Sequence, residues 1–291
     1  MRYINTTGYN PKALKIELQK KNVEIISLST IQEKKDFLDL AANQIWTKHK
    51  AAFEKLSSNK CWFSEAYATV SDFQIEHFRP KKKVQLIRNK DSYTEARTVA
   101  NNEGYWWLSY ELDNFRLAGG KPNQFKGSYF PLQSGSRIGT PLNGSWKLEE
   151  PIFIDPCKKE DVELITYDGV EPKEANPDID SIEHVRARIS INLFGLKINK
   201  LKNARSKVFE ITKNFYNSAE LNWNAMNDNI GVNENVYNLA KQNFDNNCSY
   251  LVYMLKPNKE FTRMVLAFLI AANQPWVNIY VIDIAKELKF I

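Results

Sequence analysis

The sequence of 291 residues predicts an α+β fold, mainly helical, with a small strand-bearing module set between helical segments. Three observations carry this. Apolar residues recur near the helical period at Phe37, Leu38, Ala41, Ile45, Trp46, Ala52, Phe53 and Leu56, and again at Ile182, Val185, Ile189, Leu193, Leu196 and Leu201. Residues 73–78 read as extended and stop at Pro80, which has no N–H to give to a strand ladder. Residues 162–167 read as a strand followed by Asp168-Gly169, a hairpin-turn signal.

Taken in order, Leu14, Ile16 and Leu18 suggest a short helix, and residues 23–28 an extended segment. Ser29-Thr30 can cap one or two helices over 31–56, which end at Ser57-Ser58-Asn59. His49 falls off the apolar stripe and reads as a solvated surface histidine. Residues 61–63 can be extended. The connection 81–104 is too polar for a core and reads as a loop facing nucleic acid. Residues 105–110 are aromatic and lead to Asn114, with Trp106 and Trp107 as core packing. Gly119-Gly120-Lys121-Pro122 makes a turn before a short helix over 123–126. Residues 151–156 read as one strand of a pair with 162–167, with Asp155 in a turn role before Pro156. A helix starts at Ser181 and breaks near Gly195. Residues 206–291 continue as helices, with 261–272 a core helix. The expected segments are thus 1–59 (helical), 60–150 (the strand-bearing module) and 151–291 (hairpin plus helices).

The stretch with chemical content is Gln74-Ile75-Glu76-His77-Phe78-Arg79-Pro80-Lys81. Asn114 lies thirty-seven residues after His77, Asn123 nine further on, and Lys126 three beyond that. Hydrolysing a phosphodiester needs a base that accepts a proton near neutral pH, which suits His77. It also needs charge stabilisation, which a hard divalent cation on oxygen ligands provides; Glu76 and Asn123 offer a carboxylate and an amide oxygen. Strand neighbours point to opposite faces, so Glu76 and His77 can serve one site only at a strand end or bulge. Glu183-His184 repeats the acid–histidine pair, but inside an expected helix with no following Asn-x-x-Lys.

Residues 60–132 resemble an HNH nuclease of the ββα-metal type, and in particular the PtuB-like HNH proteins of Septu and retron anti-phage defence systems. The motifs are Lys60-Cys61-Trp62-Phe63-Ser64-Glu65, 75–81, Tyr105-Trp106-Trp107-Leu108-Ser109-Tyr110 and Asn123-Gln124-Phe125-Lys126-Gly127. The resemblance implies a ββα-metal module with His77 as general base and Glu76 and Asn123 as metal ligands. It places Asn114 as the brace of the histidine loop and Lys126 at a position that meets the phosphate. It implies Mg²⁺, with Mn²⁺ as a substitute, and a partner ATPase of the PtuA-like type in a hetero-oligomer. Many such proteins carry two Cys pairs on a structural zinc. Here the first is reduced to Cys61 with Ser64 and the second reads Ala118-Gly119-Gly120-Lys121-Pro122, so no structural zinc is expected.

The formal charge is +6 and the pI about 9.0. Between Arg79 and Arg97 stand seven basic residues, Arg79, Lys81, Lys82, Lys83, Arg88, Lys90 and Arg97, against Asp91 and Glu95, a local balance of +5. Such a run beside the site suits phosphate contacts, with Arg79, Lys81, Lys82 and Lys83 as the nucleic-acid-binding candidates. No apolar run has the length of a membrane span, the N-terminus lacks a signal-peptide core, and the three cysteines without C-x-x-C spacing suit a reducing cytoplasm. No Gly-Lys-Ser/Thr follows the Gly pair, so no P-loop is present. DNA and RNA remain equal as substrates, and the competing class is a catalytically degenerate subunit that binds nucleic acid or a partner.

Overall fold

A computed structural model describes residues 1–68, 72–85, 103–142 and 144–291, and the backbone of Ala96 and Arg97. Arg88, Lys90, Asp91 and Glu95 of the basic run lie outside the described residues, as does the side chain of Arg97. The fold is α+β and mainly helical, with small sheets. Two compact units emerge, one of Met1–Ile165 with Glu174–Leu196, the other of Thr166–Lys173 with Lys197–Ile291. The segments 1–59 and 60–150 both fall within the first.

In the first unit, α1 (Lys12–Ser27) runs through the segment expected to be extended. Leu18 and Ile25, two turns apart, share a buried face, and the Lys21–Glu24 pair at 2.6 Å supports the exposed one. Thr30 then caps α2 (Ile31–Asp39) through a capping box: Glu33 N–H donates to Thr30 Oγ1 at 3.1 Å and Thr30 N–H to Glu33 Oε2 at 2.8 Å. The helical pattern of 31–56 breaks after Asp39. Buried Asn43 donates its amide to the Phe37 carbonyl, and two 3₁₀ turns, Ala41–Asn43 and Ile45–His49, precede α3 (Lys50–Leu56). This break turns both Trp46 and His49 inward. His49 is therefore not a surface histidine: it is fully buried, 2.7 Å from the Tyr9 hydroxyl and ringed by Phe53 and Phe115.

Residues 61–63 form a turn rather than an extended stretch, and Trp62 stacks on Phe53 with centroids 4.7 Å apart. β1 (Gln74–His77) follows. The two-residue strand β2 (Ala96–Arg97) comes next, and the aromatic run forms a 3₁₀ turn at Trp106–Leu108. A second 3₁₀ turn, Leu112–Asn114, leads into β3 (Phe115–Ala118), which pairs antiparallel with β1 in the register Gln74↔Ala118 to His77↔Phe115. α4 (Gly120–Lys126) comes directly after, and β4 (Leu132–Gln133) pairs with β2. Residues 151–156 are not a strand. Ile152, Phe153 and Ile154 are buried, but their N–H groups go elsewhere: Ile152 to the Pro131 carbonyl at 3.0 Å and Ile154 to the Ser190 hydroxyl at 2.9 Å. Asp155 takes the expected turn role, Oδ1 accepting from Cys157 N–H at 2.9 Å, and also makes a two-pronged ion pair with Arg116 at 2.7 and 2.5 Å.

α5 (Lys159–Val162) occupies the start of the second expected strand. The hairpin is shifted to β5 (Ile165–Asp168) and β6 (Glu171–Glu174), with Gly169 at φ +54° in the foreseen turn. α6 (Ile182–Leu193), capped by Ser181, buries Val185, Ala187, Ile189 and Ile191. His184 is half-buried, its Nδ1 2.8 Å from the Asn176 carbonyl. The break at Gly195 has a physical cause. Its φ is +61°, and a Cβ there would lie 2.7 Å from the Phe125 ring, so a glycine lets α4 seat against the end of α6.

In the second unit, α7 (Asn199–Asn229) and α8 (Glu234–Met254) lie side by side, with Phe215 stacked on Tyr250 at 3.7 Å. α9 (Thr262–Ala271) is the foreseen apolar helix. α10 (Pro275–Val277), the π-turn Asn278–Ile282 and α11 (Asp283–Glu287) close the unit, where Trp276 and Phe244 meet edge to face. Among the described residues, no helix is long and apolar enough to cross a membrane.

Candidate active site

The two strands β1 and β3 and the helix α4 bring together the residues singled out by motif. Gln74 and Glu76 are two apart on β1 and therefore share one face. α4 lies along that face. Lys126 Nζ donates to Glu76 Oε1 at 2.5 Å, and Asn123, one helical turn earlier, donates its amide to Gln74 Oε1 at 2.5 Å. Lys126 is fully buried and also donates to the His77 carbonyl at 3.1 Å. It thus meets Glu76 and the strand backbone, not the open phosphate position expected of it.

His77 points to the other face of β1. It is almost wholly buried, edge-on to Trp46 at 4.9 Å and to Phe115 at 5.2 Å between centroids. Its Nε2 lies 3.0 Å from the Ser109 carbonyl. A carbonyl only accepts, so the ring proton belongs on Nε2 and Nδ1 carries a lone pair. Burial, helped by the Lys81 charge, holds the imidazole well below its usual pKa and so keeps it neutral. The alternation sets the acid and the base on opposite faces, but β1 ends at His77 and one cleft reaches both. Glu76 and His77 both line a cleft of about 330 Å³, with Trp46, Lys81, Lys82, Lys83 and Ser128.

Asn114 is fully buried and makes three side-chain bonds. Oδ1 accepts from Arg79 N–H at 2.7 Å; Nδ2 donates to the Arg79 and Leu108 carbonyls, each at 3.1 Å. It ties the segment after His77 to the 3₁₀ turn that presents the Ser109 carbonyl. The four basic candidates differ in fate. Arg79 turns inward, its Nε 2.6 Å from Glu149 Oε2 and its Nη2 donating to the Trp146 carbonyl, which corrects its placement as a phosphate contact. Lys82 pairs with Asp39. Lys83 is exposed. Lys81 is partly buried, its Nζ 4.8 Å above the Trp46 ring and 3.5 Å from His77 Nδ1. Gly104 holds this loop close: its φ is +64° and a Cβ there would come within 2.6 Å of the Lys82 and Lys83 backbone.

Glu76 and Asn123 offer oxygen donors of the kind a hard cation takes, but Asn123 reaches Gln74 and is not among the residues that line the cleft of Glu76 and His77. Lys126 takes one Glu76 oxygen; among the described residues the other, and the Asn123 side-chain oxygen, have no protein partner. No group of three or more His, Cys, Asp or Glu side chains gathers among the described residues. An ion here would rest on one carboxylate and one amide, with water and substrate oxygens as its other ligands, a mode usual for Mg²⁺. Where the resemblance expected Cys pairs, Cys61 Sγ accepts from Gly119 N–H at 3.2 Å, and Ser64 is buried. Motif order missed Trp46, Ser109 and Gln74. Trp46 looked like one more apolar helix position, and Ser109 acts through its backbone, which no side-chain pattern reveals.

Comparison with known proteins finds a partial relative. The chain is 27% identical over 165 residues to the Septu protein PtuB of Bacillus mycoides (strain KBAB4), covering 55% of this chain and 50% of that protein. This similarity supports a PtuB-like protein. The chain spans about half the length of that relative, and no family model matches it.

Proposed function

We propose that the chain is a metal-dependent HNH endonuclease, with β1, β3 and α4 as its ββα module. The observation that carries this is the Nε2–Ser109 contact at 3.0 Å, which leaves Nδ1 of a neutral His77 as a proton acceptor in the cleft that Glu76 also lines. His77 Nδ1 takes a proton from water, whose oxygen forms the new bond to phosphorus. The bond to the leaving sugar oxygen breaks, and that oxygen takes a proton from solvent. Trp46, Phe115 and Asn114 hold the imidazole in place. A divalent cation held by Glu76 and Asn123 would supply stabilisation of the charge that grows on the phosphate. The similarity to the Septu protein PtuB further supports a role in anti-phage defence. In our reading the chain is the effector subunit there, beside a PtuA-like ATPase in the cytoplasm.

The test is cleavage of supercoiled plasmid and of tRNA in Mg²⁺, with chelator as the blank, by wild type and His77→Ala, each alone and with the ATPase. The expected result is metal-dependent cleavage that falls about 10²-fold or more in the variant. Equal cleavage by both would remove His77 from catalysis. A second reading, a binding subunit with a degenerate site, draws on the Lys126 ammonium already seated on Glu76. It predicts binding with no cleavage of either nucleic acid by any of these preparations.

A further inference from the structure

We infer that Lys81 is the residue that receives the phosphodiester beside the catalytic histidine, and that in the free protein it caps that histidine. The inference rests on the nuclease reading above and adds to it a clamp residue and a substrate-dependent unmasking of the base.

Three observations converge on Lys81. First, its ammonium has no carboxylate within ion-pairing distance among the described residues, whereas nearby Lys82 is paired with Asp39 and Lys126 with Glu76. Its described contacts are the Trp46 face at 4.8 Å and His77 Nδ1 at 3.5 Å. The Glu76 and Asp39 charges act on it only from beyond ion-pairing distance, so this partly buried cation has unspent capacity for an anion. Second, its head lies in the cleft that holds Glu76 and His77, while Lys82 and Lys83 line the same wall. Phosphate oxygens are the acceptors that such a set of ammonium groups meets best. Third, Nζ occupies the side of the imidazole on which a nucleophilic water has to sit. Nε2 is committed to Ser109, and Trp46 and Phe115 cover the ring edges, so Nδ1 is the remaining polar atom and Lys81 stands over it.

These facts make a simple exchange. Without substrate, the lone pair of Nδ1 faces the Lys81 ammonium. When a phosphodiester enters, a non-bridging oxygen is a far better partner for Nζ than an imidazole 3.5 Å away. Lys81 swings to it, four carbons of stem being enough for the motion. The vacated place beside Nδ1 is then adjacent to the bound phosphorus. One side chain thereby positions the phosphate and admits the water, so the base is exposed only when there is a bond to attack. Trp46 serves both states as the shared surface for His77 and Lys81.

The test uses the full chain with histidine ring nitrogens labelled, in metal-free buffer, and thymidylyl-thymidine, a single phosphodiester between two nucleosides, as probe. NMR follows the His77 ring nitrogens in wild type, Lys81→Met and Lys81→Arg. The Nδ1 signal of wild type is expected to move on adding the dinucleotide, while Nε2, held by Ser109, moves little. In Lys81→Met the free protein already shows the shifted Nδ1 signal, the probe changes it little, and probe affinity falls about tenfold or more. Lys81→Arg keeps a response to the probe. In parallel, Lys81→Met should raise KM for a cleavable oligonucleotide more than it lowers kcat, and should flatten the salt dependence of oligonucleotide binding by about one charge. The inference is overturned if Lys81→Met leaves both the free Nδ1 signal and the probe response as in wild type. It is also overturned if wild-type His77 does not sense the probe while other residues do. Loss of the nuclease reading looks different: no cleavage by wild type, but an intact probe response that depends on Lys81.

Discussion

Replacing Asn114 should loosen the histidine loop more than any other single truncation near the site. Three bonds are lost in Asn114→Ala, all buried. The Leu108 carbonyl keeps its bond from Glu111 N–H at 3.2 Å, so it is not orphaned. Arg79 N–H and the Arg79 carbonyl have no such second partner among the described residues and lose theirs. At about 1–3 kcal/mol for each buried group left unmatched, the cost is about 3 kcal/mol. Asn114→Asp keeps the acceptor for Arg79 N–H but sets an anion against the Arg79 and Leu108 carbonyls, so at neutral pH its loss should be at least as large. Urea unfolding with equal m-values measures both, and native-state hydrogen exchange of the Arg79 amide reports the same loss locally. Variants within about 0.5 kcal/mol of wild type, with the Arg79 amide still protected, would refute the bracing role.

The same geometry leads to two further outcomes. His77 and His49 are both held below their ordinary value by burial, so the unfolded chain binds protons that the folded chain refuses. Their contribution to stability is complete above about pH 6.5 and is lost as pH falls below it, at up to about 1.4 kcal/mol per pH unit for each histidine. In metal-free buffer His49→Gln should flatten this acid slope by about one proton, and an unchanged slope would contradict the assignment. Lys126→Met should cost about 3 kcal/mol, because Glu76, 12% exposed, loses its partner at 2.5 Å. Adding Glu76→Gln should recover most of that loss, and a double-mutant cycle with no coupling would show the pair to be independent.

What the sequence revealed and what it hid divide by the kind of signal involved. Periodicity found α2 and α6, the nearly all-apolar run 261–272 found α9, and the capping pair Thr30 and Glu33 lies where Ser29-Thr30 pointed. Asp168-Gly169 found the hairpin turn but not its register, because Val162 belongs to α5 and the strand starts at Ile165. The apolar run Ile152-Phe153-Ile154 misled because burial, not pairing, explains it: its N–H groups go to a loop carbonyl and a serine hydroxyl. His49 misled because the helical pattern through it is broken by the Asn43 side chain, which a stripe drawn at constant period cannot show. At the site, motif order grouped Glu76, His77, Asn114, Asn123 and Lys126, and the β1–β3–α4 arrangement brings Lys126 onto Glu76 and Asn123 onto the same strand face. It could not tell a lysine committed to a carboxylate from one left open, nor foresee that Arg79 is spent on Glu149, seventy residues away in sequence. Those distinctions depend on long-range partners, which charge counting in a local window does not see.

The central claim is that Glu76 and Asn123 hold a divalent cation beside the base His77. Crystals soaked in Mn²⁺ with a short oligonucleotide, measured for anomalous scattering, test it most directly. The expected result is one peak between the Glu76 carboxylate and the Asn123 amide oxygen, with the phosphate next to His77 Nδ1 and the Lys81 ammonium upon it. An oligonucleotide bound in the cleft with no manganese at Glu76, or with the metal held by other residues, would contradict it.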